Sequence, residues 1–260
     1  MSEDPQKAPG TDVSDDRIVG AAPAGASDEA SAATAVREMF SSIAPRYDLL
    51  NHVLSMNVDR MWWNRAARTF ARTLSQPNVR VLDLCCGTGD MTFALQKRMK
   101  GAAGKLIGTD FSHAMLVLAT EKTQSRPVRW VEADALKLPF ASDRFDLVTA
   151  AFGFRNLANY DHGLTEIYRV LRTEGEVGIL DFGEPKGLLG SVYRLYFRHV
   201  LPAIGTLISG VRGPYAYLPK SVKRFPSPGE MLDRMRAVGF REVSLNPYTF
   251  GITGLYRGKK

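Results

Sequence analysis

The middle of the chain alternates short apolar runs with segments that carry one apolar helical face. The runs predict five strands: Arg80–Leu84, Lys105–Asp110, Val128–Glu132, Phe145–Ala151 and Glu176–Phe182. The segments between them predict helices over about Met91–Met99, His113–Lys122 and Tyr160–Leu171. Because strands and helices alternate, we expect a doubly wound α/β fold, a mostly parallel sheet with helices on both faces.

Two predicted helices precede this core. Val36, Phe40 and Ile43 fall on one helical face, and Pro45 is expected to end or kink that helix. A second helix is predicted over about Asp59–Leu74. We interpret residues 31–75 as an N-terminal helical lid on one domain that spans residues 31–260.

The last third of the chain begins with residues 185–225, which predict a helical insertion. Ser227, followed by Pro228 and by Glu230, is typical of a helix start, and that helix should run to about Val238. Two final strands, about Glu242–Asn246 and Tyr248–Tyr256, would add an antiparallel edge that turns at Asn246–Pro247. The expected sheet then has seven strands.

Composition adds three expectations. Residues 1–30 hold almost no large apolar side chains, so we expect a disordered tail there. Cys85 and Cys86 are adjacent, no His/Cys spacing resembles a zinc site, and no secretory signal is evident, which favours a cytoplasmic enzyme without a metal. The net charge of +7 is concentrated in residues 185–260, where 13 Lys or Arg face three acids. That excess favours an anionic partner, either nucleic acid or a membrane surface.

Candidate chemistry begins at the loop after the first strand. Gly87 and Gly89 let the backbone approach a ligand where a helix begins, but the third glycine of a dinucleotide fingerprint is missing. Asp83 and Asp90 flank the loop. Carboxylates disfavour a pyrophosphate, so the loop favours a cationic ligand over NAD.

Two further acids follow the next strands. Asp110 ends the second strand, where a carboxylate can accept both hydroxyls of a ribose. Asp134 and Ala135 follow the third strand and could contact an adenine. Together these positions outline a nucleoside site without a phosphate clamp, which suits S-adenosylmethionine.

Several longer segments carry a family resemblance. Residues 36–258 resemble the quinone C-methyltransferases of the UbiE/MenG family, a branch of the class I S-adenosylmethionine-dependent methyltransferases with a Rossmann-like fold. The segments that carry the resemblance are VLDLCCGTGD, GTDFS, EADALKLPF and FDLVTAAFG, together with Tyr47–Ser55, Asp59–Trp62, Phe152–Asn156 and Tyr168–Leu171. Departures occur at Asp59, where the family often has His, and at Arg172–Gly175 and Asp181–Gly183.

The resemblance implies a function and a set of site residues. It implies cofactor contacts at Thr88, Asp110, Asp134 and Ala135, and methylation of a ring carbon of a polyprenylated quinol in menaquinone or ubiquinone biosynthesis. We expect Arg155 to stabilise the phenolate or hold a water. Asn156 would orient the hydroxyl and Tyr47 would cover the substrate; these three are the candidate catalytic residues.

Other interpretations remain open from the sequence. The basic C-terminal segment would also suit a methyltransferase acting on RNA, and the cofactor loop would also suit a methyltransferase of another small molecule. A nucleotide-binding module without catalysis is a third possibility, disfavoured by the Arg155–Asn156 segment. We expect a lipophilic substrate, transient contact with a membrane surface rather than with nucleic acid, and leave a homo-oligomer open.

Overall fold

The computed structural model describes residues 18–55, 57–101, 103–123, 128–183, 185, 190 and 213–260. Its helices, in chain order, are α1 (Glu29–Leu54), α2 (Val58–Thr69), α3 (Ala71–Leu74), α4 (Asp90–Gln96), α5 (His113–Glu121), α6 (Tyr160–Val170), α7 (Gly213–Arg224) and α8 (Pro228–Val238). Its strands are β1 (Arg80–Leu84), β2 (Lys105–Asp110), β3 (Arg129–Glu132), β4 (Phe145–Ala151), β5 (Leu171–Phe182), β6 (Arg241–Tyr248) and β7 (Thr253–Lys259).

The seven strands form one sheet in the order β3-β2-β1-β4-β5-β7-β6. The first five strands are parallel, and β7 pairs antiparallel with both β5 and β6. The predicted mostly parallel sheet with helices is thereby confirmed. The order of the strands reverses between β1 and β4, and in open α/β sheets ligands bind outside the carboxyl ends of the strands at such a point.

Three inner strands are predicted best, whereas β5 begins earlier than the predicted Glu176 and β7 extends beyond the predicted Tyr256. The bounds of β1, β2 and β4 agree with the sequence prediction. Each of these strands is a short apolar run, which is typical of a strand that is buried on both faces of a sheet. The last turn was predicted wrongly: Pro247 lies inside β6, opposite Gly254, and the chain turns instead at Thr249–Gly251. Since β6 is an edge strand, it tolerates a residue that lacks an N–H.

Helix α1 is longer than predicted. Pro45 lies within it and does not end it. A proline inside a helix costs about 3 kcal/mol, but α1 is packed before this position through Val36, Ile43 and Ala44, and after it Asp48 accepts a hydrogen bond from Thr88. The described part of the predicted tail is also packed: the N–H groups of Gly20 and Ala21 donate to the carbonyls of Ala158 and Leu157.

The C-terminal segment is described only in part. The predicted insertion at residues 185–225 falls mostly outside the described residues, which resume at Gly213 in α7. The predicted start of the next helix is confirmed, since Ser227 and Glu230 form a reciprocal capping box at the start of α8. Within the described residues, no helix has the length and apolar character needed to cross a membrane.

Candidate functional site

A cleft opens at the carboxyl ends of β1, β2 and β4 and is covered by α1. The space within the cleft is about 720 Å³, a volume that includes open solvent. Its lining includes Gly87, Asp110, Asp134, Ala135 and Asn156 from the strand ends, Phe40 and Tyr47 from α1, and Phe111, Met115, Leu136 and Phe152 as apolar walls. The sheet edge thus brings together most of the predicted site residues.

Asp110 is a buried acid of the cleft. Its two carboxylate oxygens accept hydrogen bonds from the backbone N–H groups of Gly87 (2.8 Å) and Ser112 (2.9 Å). Burial raises the pKa of Asp110 to about 6, and the two N–H donors oppose that rise. Each oxygen keeps a free lone pair, so the ionised carboxylate can still accept hydrogen bonds from both hydroxyls of a ribose.

Asp83 holds the loop from behind. It is fully buried at the end of β1 and accepts hydrogen bonds from the hydroxyls of Thr92 (2.5 Å) and Thr149 (2.7 Å). Burial raises its pKa to about 6. The loop turns at Gly89, whose φ is +92° and whose missing Cβ would lie 2.8 Å from the Trp130 ring. Asp83 is therefore a support of the cofactor loop and does not itself line the cleft.

Asp134 and Ala135 line the cleft as predicted. Asp134 is exposed, and one of its oxygens accepts the N–H of Leu136 at 2.8 Å. Phe111, Met115 and Leu136 line the same cleft and provide apolar walls. A hydrogen-bond acceptor next to an apolar slot suits a flat nucleobase that carries an amino group.

Thr88 and Gly89 are placed differently from the sequence expectation. Neither is among the described residues that line the cleft. The Thr88 hydroxyl is buried, donates to Asp48 of α1 (2.5 Å) and accepts from Lys122 at the end of α5 (2.9 Å). Lys122 also pairs with Asp48 at 2.5 Å. Thr88 therefore joins the cofactor loop to the covering helix through a cluster that we name the latch: Asp48, Thr88 and Lys122.

The other end of the cleft holds Arg155 and Asn156. Asn156 lines the cleft and is only 8% exposed, and its side-chain oxygen has no hydrogen-bond partner among the described residues. Arg155 is 5% exposed and turns away from the lining: one of its terminal nitrogens donates to the buried Asp181 at 2.8 Å and to the Phe152 carbonyl. Its Nε also lacks a partner among the described residues. Consecutive residues thus leave one buried donor and one buried acceptor unpaired.

An aromatic cluster stands beside this pair. The rings of Phe152 and Phe182 lie 4.8 Å apart, and Trp62 of α2 lies 5.8 Å from Phe152 and 6.3 Å from Phe182. The Arg155 guanidinium lies 5.1 Å above the Phe182 ring. Since Phe152 also lines the cleft, the cluster forms an apolar wall suited to a flat ring.

Tyr47 covers the junction of the two ends. It lines the cleft from α1, its ring lies 6.1 Å from that of Phe40, and a Cβ on Gly87 would lie 3.7 Å from it. Tyr47 therefore lies over the cleft, where a residue that covers the substrate would be expected.

Sequence reasoning missed two partners in this site. Lys122 lies just after α5, and its position gives no local sign that it reaches Thr88. Asp181 was noted only as a departure from the family pattern, although a buried acid at the end of a central strand signals a cationic partner. Within the described ranges, no group of three or more His, Cys, Asp or Glu side chains could hold a metal.

The sequence was compared with known families and proteins. Residues 27–260 match the model of the ubiE/COQ5 methyltransferase family. The chain is 49% identical to a demethylmenaquinone methyltransferase of Deinococcus radiodurans, over 87% of this chain and 92% of that protein. It is 47% identical to a demethylmenaquinone methyltransferase of Thermus thermophilus, over 85% and 100%. It is 40% identical to a ubiquinone/menaquinone biosynthesis C-methyltransferase of Geobacter sulfurreducens, over 86% and 88%.

Solved structures share the fold at low identity. An S-adenosylmethionine-dependent methyltransferase of Thermotoga maritima superposes with a TM-score of 0.61 at 20% identity, over 86% of this chain and 99% of that one. The [4+2]-cyclase SpnF superposes with a TM-score of 0.62 at 16% identity, over 86% and 94%. These likenesses confirm the Rossmann-like methyltransferase fold, and the second one illustrates that a fold alone does not set the reaction.

Proposed function

Since this chain belongs to the ubiE/COQ5 methyltransferase family, we propose that it methylates a ring carbon of a polyprenylated quinol, with demethylmenaquinol as its preferred substrate. The enzyme is an S-adenosylmethionine-dependent methyltransferase. The two relatives with 49% and 47% identity carry the name demethylmenaquinone methyltransferase, whereas the relative at 40% carries a combined ubiquinone and menaquinone name. That ranking supports the naphthoquinol over the benzoquinol.

The cleft fits the cofactor. Asp110 offers ribose acceptors, and Asp134 and Ala135 lie beside an apolar slot for the adenine. No cationic side chain is among the described residues that line the cleft, in keeping with a ligand that carries positive charge itself. S-adenosylmethionine, when bound there, supplies the methyl group on a positively charged sulfur.

The substrate must be activated by the protein. A quinol ring carbon is a weak nucleophile until the neighbouring hydroxyl loses its proton, which pushes charge onto the ring. The enzyme therefore needs a group that accepts from the hydroxyl, a donor for the oxyanion and an apolar wall that holds the ring in line.

One observation carries the proposal: Arg155 and Asn156 leave a buried donor and a buried acceptor unpaired beside the aromatic cluster of Trp62, Phe152 and Phe182. Buried polar atoms without partners cost stability, and at a cleft a bound ligand can supply the missing partners. The Asn156 oxygen accepts a hydrogen bond from the quinol hydroxyl and orients it. Arg155 lies behind the cleft lining, so its positive charge stabilises the resulting oxyanion without direct contact, while a water takes the proton.

Covering the site is the proposed task of α1. Tyr47 and Phe40 place rings over the cleft, and the latch fixes the helix to the cofactor loop. Exclusion of water protects the activated ring carbon and strengthens the hydrogen bonds at Asn156. Because the polyprenyl tail is a lipid, the enzyme must also meet a bilayer at least transiently, so we propose a peripheral location.

Purified enzyme with labelled S-adenosylmethionine should methylate demethylmenaquinol faster than a demethylated ubiquinol precursor, and should not label bulk RNA. Asn156→Leu should lower kcat about 100-fold while leaving cofactor affinity within twofold, because the lost acceptor serves only the substrate. Asn64→Leu, an exposed amide on α2, is the matched control. Label on RNA with none on either quinol would reject the proposed substrate class.

A further inference from the structure

Phe250 is the most exposed large apolar residue of the described chain, at 83%. It lies in the turn between β6 and β7, where Thr249, Phe250 and Gly251 have φ values of 45°, 57° and 88°. Left-handed backbone is unfavourable for an aromatic residue. An exposed ring on left-handed backbone contributes little packing to the folded chain, and exposed apolar residues that form a patch rimmed by polar ones can mark an interaction site.

The turn is held firmly from below. The Trp62 Nε1 of α2 donates to the Thr249 hydroxyl at 2.7 Å. The guanidinium of Arg65 lies 4.2 Å above the ring of Tyr248, which is buried. Two side chains of one helix therefore fix the residues that precede Phe250, and the ring is presented outward on a rigid base.

The same helix contributes an exposed face beside the turn. Met61, Arg65 and Arg68 follow one another at intervals of four and three residues, so they share one face of α2, and all three are exposed. Met61 is 51% exposed. The only acid of α2, Asp59, is buried and paired with His52 at 2.9 Å, so it does not neutralise the two arginines.

This surface is joined to the substrate end of the cleft. Trp62, which holds the turn, also packs against Phe152 and Phe182 in the aromatic cluster. Phe152 in turn lines the cleft. The surface that carries Phe250 is thus connected to the cleft through Trp62 and Phe152.

We propose that Phe250, Met61, Arg65 and Arg68 form a docking surface for a lipid bilayer that contains anionic lipids, with Phe250 inserted among the acyl chains. The proposal rests on the proposed function, because a polyprenyl quinol is delivered from the bilayer. Apolar side chains bordered by arginines match the headgroup boundary, where rings and thioethers enter the acyl region and guanidinium groups meet phosphates. A second copy of the chain fits this surface poorly, since a two-fold interface would bring the unneutralised arginines face to face.

Vesicle co-sedimentation tests the apolar part. The full chain should bind vesicles of phosphatidylcholine and phosphatidylglycerol, and Phe250→Asn should weaken that binding about tenfold. Asparagine tolerates the left-handed backbone, so this variant keeps the turn and its fold. Val117→Asn, which removes an apolar residue of 43% exposure on α5, is the control and should bind like the wild type.

The charged part is tested by Arg68→Gln, which leaves the contact between Arg65 and Tyr248 intact. This variant should bind the anionic vesicles about fivefold more weakly, and 0.5 M salt should remove most of its difference from the wild type. Arg236→Gln, an exposed arginine of α8, is the matched control. Equal binding of Phe250→Asn and wild type, no binding of the wild type to anionic vesicles, or a change of oligomeric state in Phe250→Asn would each overturn the docking surface.

Turnover separates this proposal from the proposed function. With a water-soluble short-tail demethylmenaquinol, Phe250→Asn should match the wild type; with the long-tail quinol in vesicles, it should be slower by the same factor as its binding. An enzyme that methylates neither quinol contradicts the proposed function whatever its vesicle binding. Equal rates of both proteins on vesicle-borne quinol contradict the docking surface while leaving the methylation intact.

Discussion

The two ends of the cleft are built on different principles. At the cofactor end, Asp110 and Asp83 accept hydrogen bonds from backbone and hydroxyl donors that the fold itself supplies. At the substrate end, Arg155 and Asn156 each keep a buried polar atom without a partner among the described residues. At the first end the fold itself supplies the hydrogen-bond donors, and at the second we propose that the ligand supplies the missing partners.

The residues that form the two ends of the cleft also come from differently spaced parts of the chain. The acids of the cofactor end follow successive strands, within residues 83–135. The substrate end joins Trp62 of α2, Phe152 and Arg155 after β4, and Asp181 and Phe182 at the end of β5. A local site keeps its shape through backbone geometry, whereas a site assembled from distant segments depends on side-chain partners. Changes at the substrate end should therefore cost more stability.

The sharpest test of that view is Arg155→Ala, for which we expect the largest effect. Removing Arg155 leaves the carboxylate of Asp181 buried and unpaired, which costs about 3–5 kcal/mol of unfolding free energy. The measurement is urea unfolding without cofactor. Turnover should also fall, but activity alone cannot separate a lost positive charge from a collapsed site.

The double variant Arg155→Ala with Asp181→Asn separates these causes. It should be more stable than Arg155→Ala alone, because the unpaired charge is gone, and it should remain as inactive. If Asp181→Asn restores no stability, the ion pair is not what holds this end of the cleft together.

Asp110→Asn is the corresponding test of the cofactor end. The amide would lose one acceptor oxygen and would turn a donor toward the N–H of Gly87 or Ser112. Affinity for S-adenosylmethionine, measured by calorimetry, should fall about 100-fold, which corresponds to about 3 kcal/mol. Glu132→Gln, an exposed acid at the end of β3, should bind like the wild type. An unchanged affinity of Asp110→Asn would remove Asp110 from the cofactor site.

The pH dependence of stability gives a smaller effect at the same end. Burial raises the pKa of Asp83 from 3.8 to about 6, so between pH 4 and 6 the folded chain holds a proton that the unfolded chain has lost. Unfolding free energy should therefore decrease as pH rises through this window. Asp83→Asn removes this titration. Its free energy of unfolding, relative to that of the wild type, should therefore increase by on the order of 2 kcal/mol from pH 4 to pH 7. Parallel stability profiles for the two proteins would contradict this account.

The same contrast explains what the sequence could predict. The strands β1, β2 and β4 and the acids that end them follow from short apolar runs and their boundaries, since the carboxyl ends of parallel strands meet at one edge. The family resemblance placed Asn156 and Tyr47, and both line the cleft. The family and the fold, both of which are confirmed, could be predicted without knowing any contact between distant segments of the chain.

Contacts between distant side chains did not follow from the sequence. Thr88 was expected to contact the cofactor, but its hydroxyl is held by Asp48 and Lys122, from 40 and 34 residues away. Arg155 was expected to face the site, but Asp181 draws its terminal nitrogen away. Neither partner follows from local spacing, because hydrogen bonds between separate helices and strands depend on how those elements pack.

The latch offers the smallest and most selective test, because it joins the covering helix to the cofactor end of the cleft. Lys122→Met removes the cation that pairs with Asp48 and donates to Thr88, so α1 should open more often and the cofactor should dissociate faster. Asp48 and Lys122 are each about 31% exposed, so we expect only about a threefold loss of affinity. Stopped-flow dissociation should show the difference at low salt and lose it at 0.5 M salt.

Lys137→Met, which changes an exposed lysine beyond Ala135, is the matched control. If both variants release the cofactor at the wild-type rate, the helix is held by the packing of Phe40 and Tyr47 rather than by the latch.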